Sequence, residues 1–366
     1  MLQFAIEATC LADARPTGIG RYAQGLVSGL AAIESAGSEY QVTVLYRTSR
    51  RRRRSQIVTV PGRVSRQSWR GRHWPLSKPY ALVHATADWT PDWARPLKVS
   101  TVHDLYAIHG INFEDQHARQ KAIDGYRLTA ERSDFIVFIS EHSRQDFLRL
   151  IGFDPVRTAV TPLGVDARYR PQSPRATAAV RSRYGLDAPY LLFVGLTNPN
   201  KNLPRLLAAY AQSAARGEHR LAVVGHVPEK QHQALDEELS ELGIRDHVHL
   251  TGYVADAELP ALYAGAAAFL FPSLYEGFGL PILEAMASGV PVLTSTTSAC
   301  PEAAGGHACL VDPESIDAIA NGIDAVLKMT VAERDAAQGY ARSCTWRRTA
   351  ESTLAAYHAT LALGRR

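Results

Sequence analysis

Two carboxylates, Glu276 and Glu284, stand eight residues apart in the stretch FPSLYEGFGLPILEAMASG, which runs from Phe271 to Gly289. An apolar run from Ala267 to Phe271 stops at Pro272, and a loop with two glycines follows. Pro281 stands where a first helical turn accepts proline, and Gly289 is placed to cap the end. The pattern predicts a strand, a loop and a helix, and in an open α/β sheet such a unit delivers its loop to the carboxyl edge of the strands, where ligands bind. Glu276 is then on the loop and Glu284 in the first helical turn, with the amides around Phe278 and Gly279 at the positive end of the helix. Acceptor-only carboxylates suit paired hydroxyls, and helix-end amides suit phosphate. A ligand with a diol at each end and a phosphate between them fits this set, and that is a nucleotide sugar. The helix dipole alone favours a Glu in a first turn by about 0.3 to 1 kcal/mol, and a loop Glu is commonly solvated, so neither residue decides the matter by itself.

The elements around this unit supply further candidates. Tyr190 to Val194 reads as a strand ending in Gly195, followed by LTNPNKN and a helix announced by Asn202 and Pro204. Lys201 therefore falls at a helix N-terminus above the carboxyl edge, where a cation and helix amides together make a diphosphate site. Val99 to Val102 reads as a strand ending in His103 and Asp104, and a His beside a carboxylate at a strand end can hold a fixed tautomer toward a ligand. GIGRYA, opening a helix from Gly18 to Ser35, satisfies the dinucleotide pattern with Gly18, Gly20 and Ala23. Eight residues separate it from the first strand, Gln3 to Thr9, and the second strand, Gln41 to Tyr46, ends without an acid for a ribose; both count against a nicotinamide site.

EGFGLPILEA followed by MASGVPVLTS and PEAAGG resembles the retaining glycosyltransferases of the family-4 type, which have the GT-B fold, and the resemblance covers nearly the whole chain. It implies that Glu276 contacts the transferred sugar and Glu284 holds the ribose, that His103 lies beside the donor sugar, and that the GIGRY glycines form a loop near the phosphates and acceptor. It also implies that Gly252, Tyr253 and Val254 pack on the nucleobase through backbone groups. The chain departs from the pattern at one place: relatives usually carry an Arg after the glycine of the strand before Lys201 or next to the Lys, and here Leu196 and Asn200 stand there. Arg205 is the remaining candidate for a second cation on the diphosphate. The overall style of the string is similar to bacterial mannosyltransferases of surface-polysaccharide pathways, which implies GDP-mannose as donor.

Composition bounds the rest. A chain of 366 residues with 46% hydrophobic residues suits two domains, each able to bury a core, with a linker marked by the proline and glycine density from Pro162 to Pro189; Ile57 to Val60, Leu221 to Gly225, His247 to Gly252 and Pro291 to Ser295 read as further strands. Four cysteines, Cys10, Cys300, Cys309 and Cys344, show no metal-ligand spacing and no disulfide framework, and read as reduced thiols of a cytosolic protein. The apolar part of the N-terminus is too short and too acidic for a signal peptide, and no apolar run approaches the roughly 18 to 20 residues of a membrane span. The net charge of +4 is uneven: between Tyr40 and Ala87 there are eleven Lys or Arg and no Asp or Glu. Arg50, Arg51, Arg52, Arg53 and Arg54, with Trp69 and Trp74 downstream, suit the anionic face of a membrane, although a charge run is as often a solvated loop. No D-x-D stretch is present to seat a divalent ion.

The expectations are these. The fold is α/β of the GT-B kind, two doubly wound parallel-sheet domains facing across a cleft: 1–170 for the acceptor, joined by a final crossing helix at 346–366, and 171–345 for the nucleotide-sugar donor. Catalysis falls to Glu276, His103 and Lys201. Donor binding falls to Glu284, Gly277, Phe278, Gly279, Leu280, Gly252, Tyr253, Val254, Gly18, Gly20 and Arg205. No metal or cofactor is expected, and no nucleic acid. The acceptor is a glycan, carried on a polyprenyl diphosphate, and the enzyme is cytoplasmic with a peripheral hold on the inner membrane face. A non-catalytic nucleotide-sugar binder and an NADP-dependent oxidoreductase are the alternatives.

Overall fold

The computed structural model describes residues 2–12, 17–33, 40–47, 65–69, 80–87, 90, 96–109, 116–195 and 198–364. The chain divides into two units, Met1–Gly164 with Thr345–Arg366, and Val165–Cys344. The boundary falls at Gly164, ahead of the residue 170 expected.

In the first unit the described strands are β1 (Leu2–Glu7), β2 (Tyr40–Arg47), β3 (Ser65–Trp69), β4 (Leu82–Ala85), β5 (Leu97–Val102), β6 (Phe135–Phe138) and β7 (Thr158–Val160). Helices α1 (Gly18–Ile33), α2 (Gln116–Arg132) and α3 (Glu141–Leu150) lie between them. All pairings are parallel, in the order β3-β2-β1-β4-β5-β6-β7. The central strands are buried on both faces, as the apolar runs LVHA and FIVF demand of a covered parallel sheet. The strand expected at Ile57–Val60 lies outside the described residues, as do Arg50 to Arg54; the edge position is held by β3, which carries Arg66 and Trp69.

The second unit begins with α4 (Pro174–Arg183), a helix inside what reads from the sequence as linker. Ser173 caps it, its hydroxyl accepting from the Ala176 N–H at 3.3 Å, and Pro174 takes the first turn, where a missing N–H costs nothing. Then follow β8 (Tyr190–Val194), α5 (Leu203–Gln212), β9 (Arg220–Val224), α6 (Glu229–Glu241), β10 (Val248–Gly252), α7 (Leu259–Ala264), β11 (Ala268–Phe271), α8 (Leu280–Ala287), β12 (Val292–Ser295), α9 (Cys300–Ala304), β13 (Cys309–Val311), α10 (Ile316–Val326) and α11 (Val331–Ser343). The sheet order is β10-β9-β8-β11-β12-β13, all parallel. Its core joins Leu191 and Phe193 of β8 to Leu206, Leu207 and Tyr210 of α5 and to Ile319 and Ile323 of α10.

The last helix, α12 (Trp346–Leu363), belongs to the first unit and packs along α1. Glycine permits the approach. A Cβ on Gly25 would run into the Trp346 indole, and one on Gly29 into the Trp346 carbonyl.

Both sheets reverse strand order once, between β1 and β4 in the first and between β8 and β11 in the second. Loops leaving the two strands at such a point turn to opposite faces and leave a crevice between them.

Candidate active site

Lys201 leaves the sheet just after β8 and Glu276 just after β11, the two strands that flank the reversal. Their charged ends meet: Lys201 Nζ donates to Glu276 Oε1 at 2.6 Å. The side chains are 17% and 11% exposed, so the pair is largely withdrawn from water. The Lys201 ammonium also lies 4.8 Å from the centre of the Phe271 ring, a cation–π contact. Its stem passes Gly195, whose φ of +122° and missing Cβ leave the room. Removing either charge alone leaves the other buried without a counter-ion, which is costly.

Neighbouring residues stitch the two loops together. The Asn200 carbonyl accepts from the Leu274 N–H at 2.7 Å, and Asn200 Nδ2 donates to the Tyr275 carbonyl at 2.8 Å. Asn202, in the left-handed conformation with φ of 61°, donates from Nδ2 to the carbonyls of Pro272 and Pro313. From the other side Ser298 Oγ accepts from the Glu276 N–H at 3.0 Å. Ser298 also has a left-handed φ, 55°. Cys300, one turn on, has its thiol pushed up to about 11, by burial first and by the Glu276 charge second.

Gly279, with φ of +108°, is the N-cap of α8 and turns the chain into it. Gly277 and Phe278 precede it, and Leu280 opens the helix. Glu284 is the fifth residue of α8 and therefore stands past the first turn in which the sequence placed it; it is 3% exposed. The correction arises because the loop runs up to Gly279 and Pro281 falls at the helix start. Gly252 ends β10 with φ of +69° after a register shift, its carbonyl accepting from the Gly225 N–H at 3.1 Å. Tyr253 beyond it is exposed and Val254 buried. They occupy the same carboxyl edge, two strands away from Lys201. Arg205 donates to Asn202 Oδ1 at 3.1 Å and lines a cavity of about 370 Å³ with Asn198, Val227, Gln231 and Glu238. Leu196 lies outside the described residues.

His103 is at the end of β5 in the first unit. Its Nε2 donates to the Thr86 carbonyl at 2.9 Å, which ties the ends of β4 and β5. The ring meets Tyr22 edge-on at 5.0 Å, and it lines a cavity of about 460 Å³ with Ile19, Asp104, Tyr106, Lys121 and Tyr126. Behind it runs a buried chain the sequence did not announce: Tyr357 OH to His84 Nδ1 at 2.7 Å, His84 Nε2 to Thr101 Oγ1 at 2.7 Å, and Thr101 Oγ1 to Tyr22 OH at 2.9 Å. Burial, and then the nearby His103, lowers His84 to about 3 and keeps it neutral. Gly18 and Gly20 form the first turn of α1, as the residue pattern predicts and in place of the loop that the resemblance implies, because Thr17 Oγ1 accepts from the Gly20 N–H at 3.3 Å and starts the helix there.

Among the described residues no group of three or more His, Cys, Asp or Glu is arranged to hold a metal ion. No described helix is long and apolar enough to cross a membrane.

Comparison with known proteins finds relatives over both units. Residues 16–169 match the family Glycosyltransferase Family 4, and residues 178–343 match Glycosyl transferases group 1. The chain is 31% identical over 266 residues to the O-antigen chain mannosyltransferase B of Escherichia coli, covering 71% of this chain and 69% of that protein. It is 32% identical over 206 residues to a GDP-mannose-dependent alpha-(1-6)-phosphatidylinositol monomannoside mannosyltransferase of Mycolicibacterium smegmatis, covering 53% of each. Among solved structures, HepE of Anabaena in complex with UDP and glucose superposes with a TM-score of 0.74 at 16% identity, over 100% of both chains.

Proposed function

The chain belongs to the family-4, group 1 glycosyltransferases of GT-B fold, and on that footing we propose that it transfers a mannosyl unit from GDP-mannose to a surface glycan with retention of anomeric configuration. The observation that carries this is the Lys201–Glu276 pair at the strand reversal of the second sheet. Lys201 and the α8 amides take up the charge that develops on the departing diphosphate, an electrostatic effect already in place before reaction. Glu276 accepts from hydroxyls of the transferred sugar and Glu284 from those of the ribose. A retaining glycosidase would use a carboxylate as nucleophile. Glu276 and Glu284 are engaged with hydroxyls of the donor, so attack comes from the side of the leaving group and the departing phosphate takes the acceptor's proton. No metal is assigned a part.

The E. coli and mycobacterial relatives support mannose, and the mycobacterial one supports the guanine base. The glycan acceptor is carried on a polyprenyl diphosphate at the inner membrane face, and the basic composition of Arg50 to Arg54 supports a hold on anionic lipid there. The test is transfer of labelled sugar from a panel of nucleotide sugars to lipid-linked acceptors, with the product anomer read by NMR. GDP-mannose should be used fastest, with retention. An inverted product would overturn the mechanism, preference for a UDP-sugar the donor, and binding without any turnover the enzymatic reading.

A further inference from the structure

We propose that Asn200 is a positioning residue for the transfer: it sets the distance and direction of Glu276 relative to Lys201, given the assignment of that pair to the donor site made above. Three successive residues of the loop after β11 are each bonded to the turn after β8. Leu274 donates to the Asn200 carbonyl at 2.7 Å, Tyr275 accepts from Asn200 Nδ2 at 2.8 Å, and Glu276 accepts from Lys201 Nζ at 2.6 Å. Asn200 makes two rungs of this ladder and stands directly before the residue that makes the third.

The amide is built for the task. Asn200 is 6% exposed, and its Oδ1 has no hydrogen-bond partner among the described residues, so the donor to Tyr275 is the bond that orients the side chain. Rotation of the amide by half a turn would set Oδ1 against the Tyr275 carbonyl, acceptor on acceptor, so one orientation is fixed. An arginine at this position would bring charge to the site but not this short, planar link to the main chain.

The neighbouring asparagine has a separable job. Asn202 ties Pro272, at the start of the loop, to Pro313 ahead of α10, and Ser298 holds the Glu276 amide from a third element. With both in place, loss of the Asn200 amide leaves the loop anchored at its ends and loosens it beside the reacting groups. A displacement of about 1 Å at such a place costs on the order of a hundredfold in rate.

The test compares the wild type with Asn200→Ala, the isosteric Asn200→Asp, and Lys201→Ala. The readouts are kcat with GDP-mannose, or with whichever nucleotide sugar the wild type turns over fastest, affinity for free GDP or the matching nucleoside diphosphate, and melting temperature. Asn200→Ala should lower kcat by about ten- to a hundredfold with nucleoside diphosphate affinity within about threefold and the melting temperature within a few degrees. Asn200→Asp, which turns a carboxylate toward the Tyr275 carbonyl, should be at least as slow. A kcat within twofold of wild type in both Asn200 variants, with Lys201→Ala inactive, overturns the positioning role and leaves the site assignment standing. Parallel losses of kcat, nucleoside diphosphate affinity and melting temperature also overturn it, in favour of a purely structural residue. Wild-type turnover in Lys201→Ala overturns the site assignment itself.

Discussion

Lys201 Nζ sits 2.6 Å from Glu276 Oε1 across 75 residues of chain, each the other's counter-ion. A donor that claims the ammonium with its diphosphate and the carboxylate with its sugar hydroxyls must part them, and it replaces both halves of the pair at once. Until they are parted, each charge is held by the other and largely out of water.

Lys201→Ala should lower turnover by on the order of a hundredfold or more, and it should also lower the melting temperature, because a buried pair broken on one side costs about 3 to 5 kcal/mol. The double change Lys201→Met with Glu276→Gln should recover much of the stability and none of the activity. A double variant as unstable as the single one would show that the pair is not what holds the loops. Chelators should leave wild-type turnover unchanged; loss restored by magnesium or manganese would give the diphosphate a metal partner.

Glu276 and Glu284 should separate in binding. Glu284→Ala should weaken free nucleoside diphosphate by about 1.5 to 3 kcal/mol, the range for a hydrogen bond to a charged group. Glu276→Ala should lose turnover with that affinity within a factor of about three, because its contact is to the sugar. Calorimetry with GDP alone distinguishes them, and equal effects would refute the division.

The first unit should carry an acid-sensitive stability term at His84. Its folded value, about 3, lies below the ordinary 6.5, so the unfolded chain binds the extra proton between the two. Stability is complete above pH 6.5 and falls as pH drops toward 3, by up to about 1.4 kcal/mol per pH unit. His84→Gln should flatten the melting-temperature profile between pH 7 and 5. Parallel profiles for the two proteins would place the acid sensitivity elsewhere.

Gly25→Ala and Gly29→Ala should each destabilise by about 1 to 3 kcal/mol, the cost of overpacking. The two differ in what they strike: a side chain at Gly25 and main chain at Gly29. Trp346→Ala should therefore couple to Gly25→Ala in a double-mutant cycle and much less to Gly29→Ala. Equal coupling would mean that α12 shifts as a whole.

Replacing Arg50 to Arg54 by serine should abolish flotation with anionic vesicles, and raised salt should weaken wild-type binding. Equal recovery of both forms with neutral and anionic vesicles would leave the run as an ordinary solvated segment.

What the sequence could announce was what has a period or a local punctuation. The runs of β8, β9, β10 and β11 are closed by Gly or Pro and that of β12 is opened by Pro291, and the structure places all five strands within a residue of where those runs lie. Lys201 and Glu276 were legible because each follows such a strand. Asn200, Asn202 and Ser298 were not, since a side chain bonded to main chain some twenty to over a hundred residues away leaves no pattern in its own neighbourhood. His84 was hidden for a related reason: within LVHA it is one more strand residue, and its partner Tyr357 comes 273 positions later. The α4 helix was missed because proline and glycine density around it outweighed the local cap at Ser173.

The return of α12 to the first unit orders events during synthesis. Residues 165–344 are continuous and can close their sheet as soon as they leave the ribosome, while the first unit waits for Trp346 to cover Gly25 and Gly29 and for Tyr357 to reach His84. Until then the emerged N-terminal half carries an uncovered apolar face on α1 and a histidine in its sheet that has Thr101 but lacks Tyr357, the kind of surface that chaperones hold. The unit translated first is the last to be finished, and a chain cut between Cys344 and Tyr357 keeps the residues of its second unit whole while its first lacks most of α12.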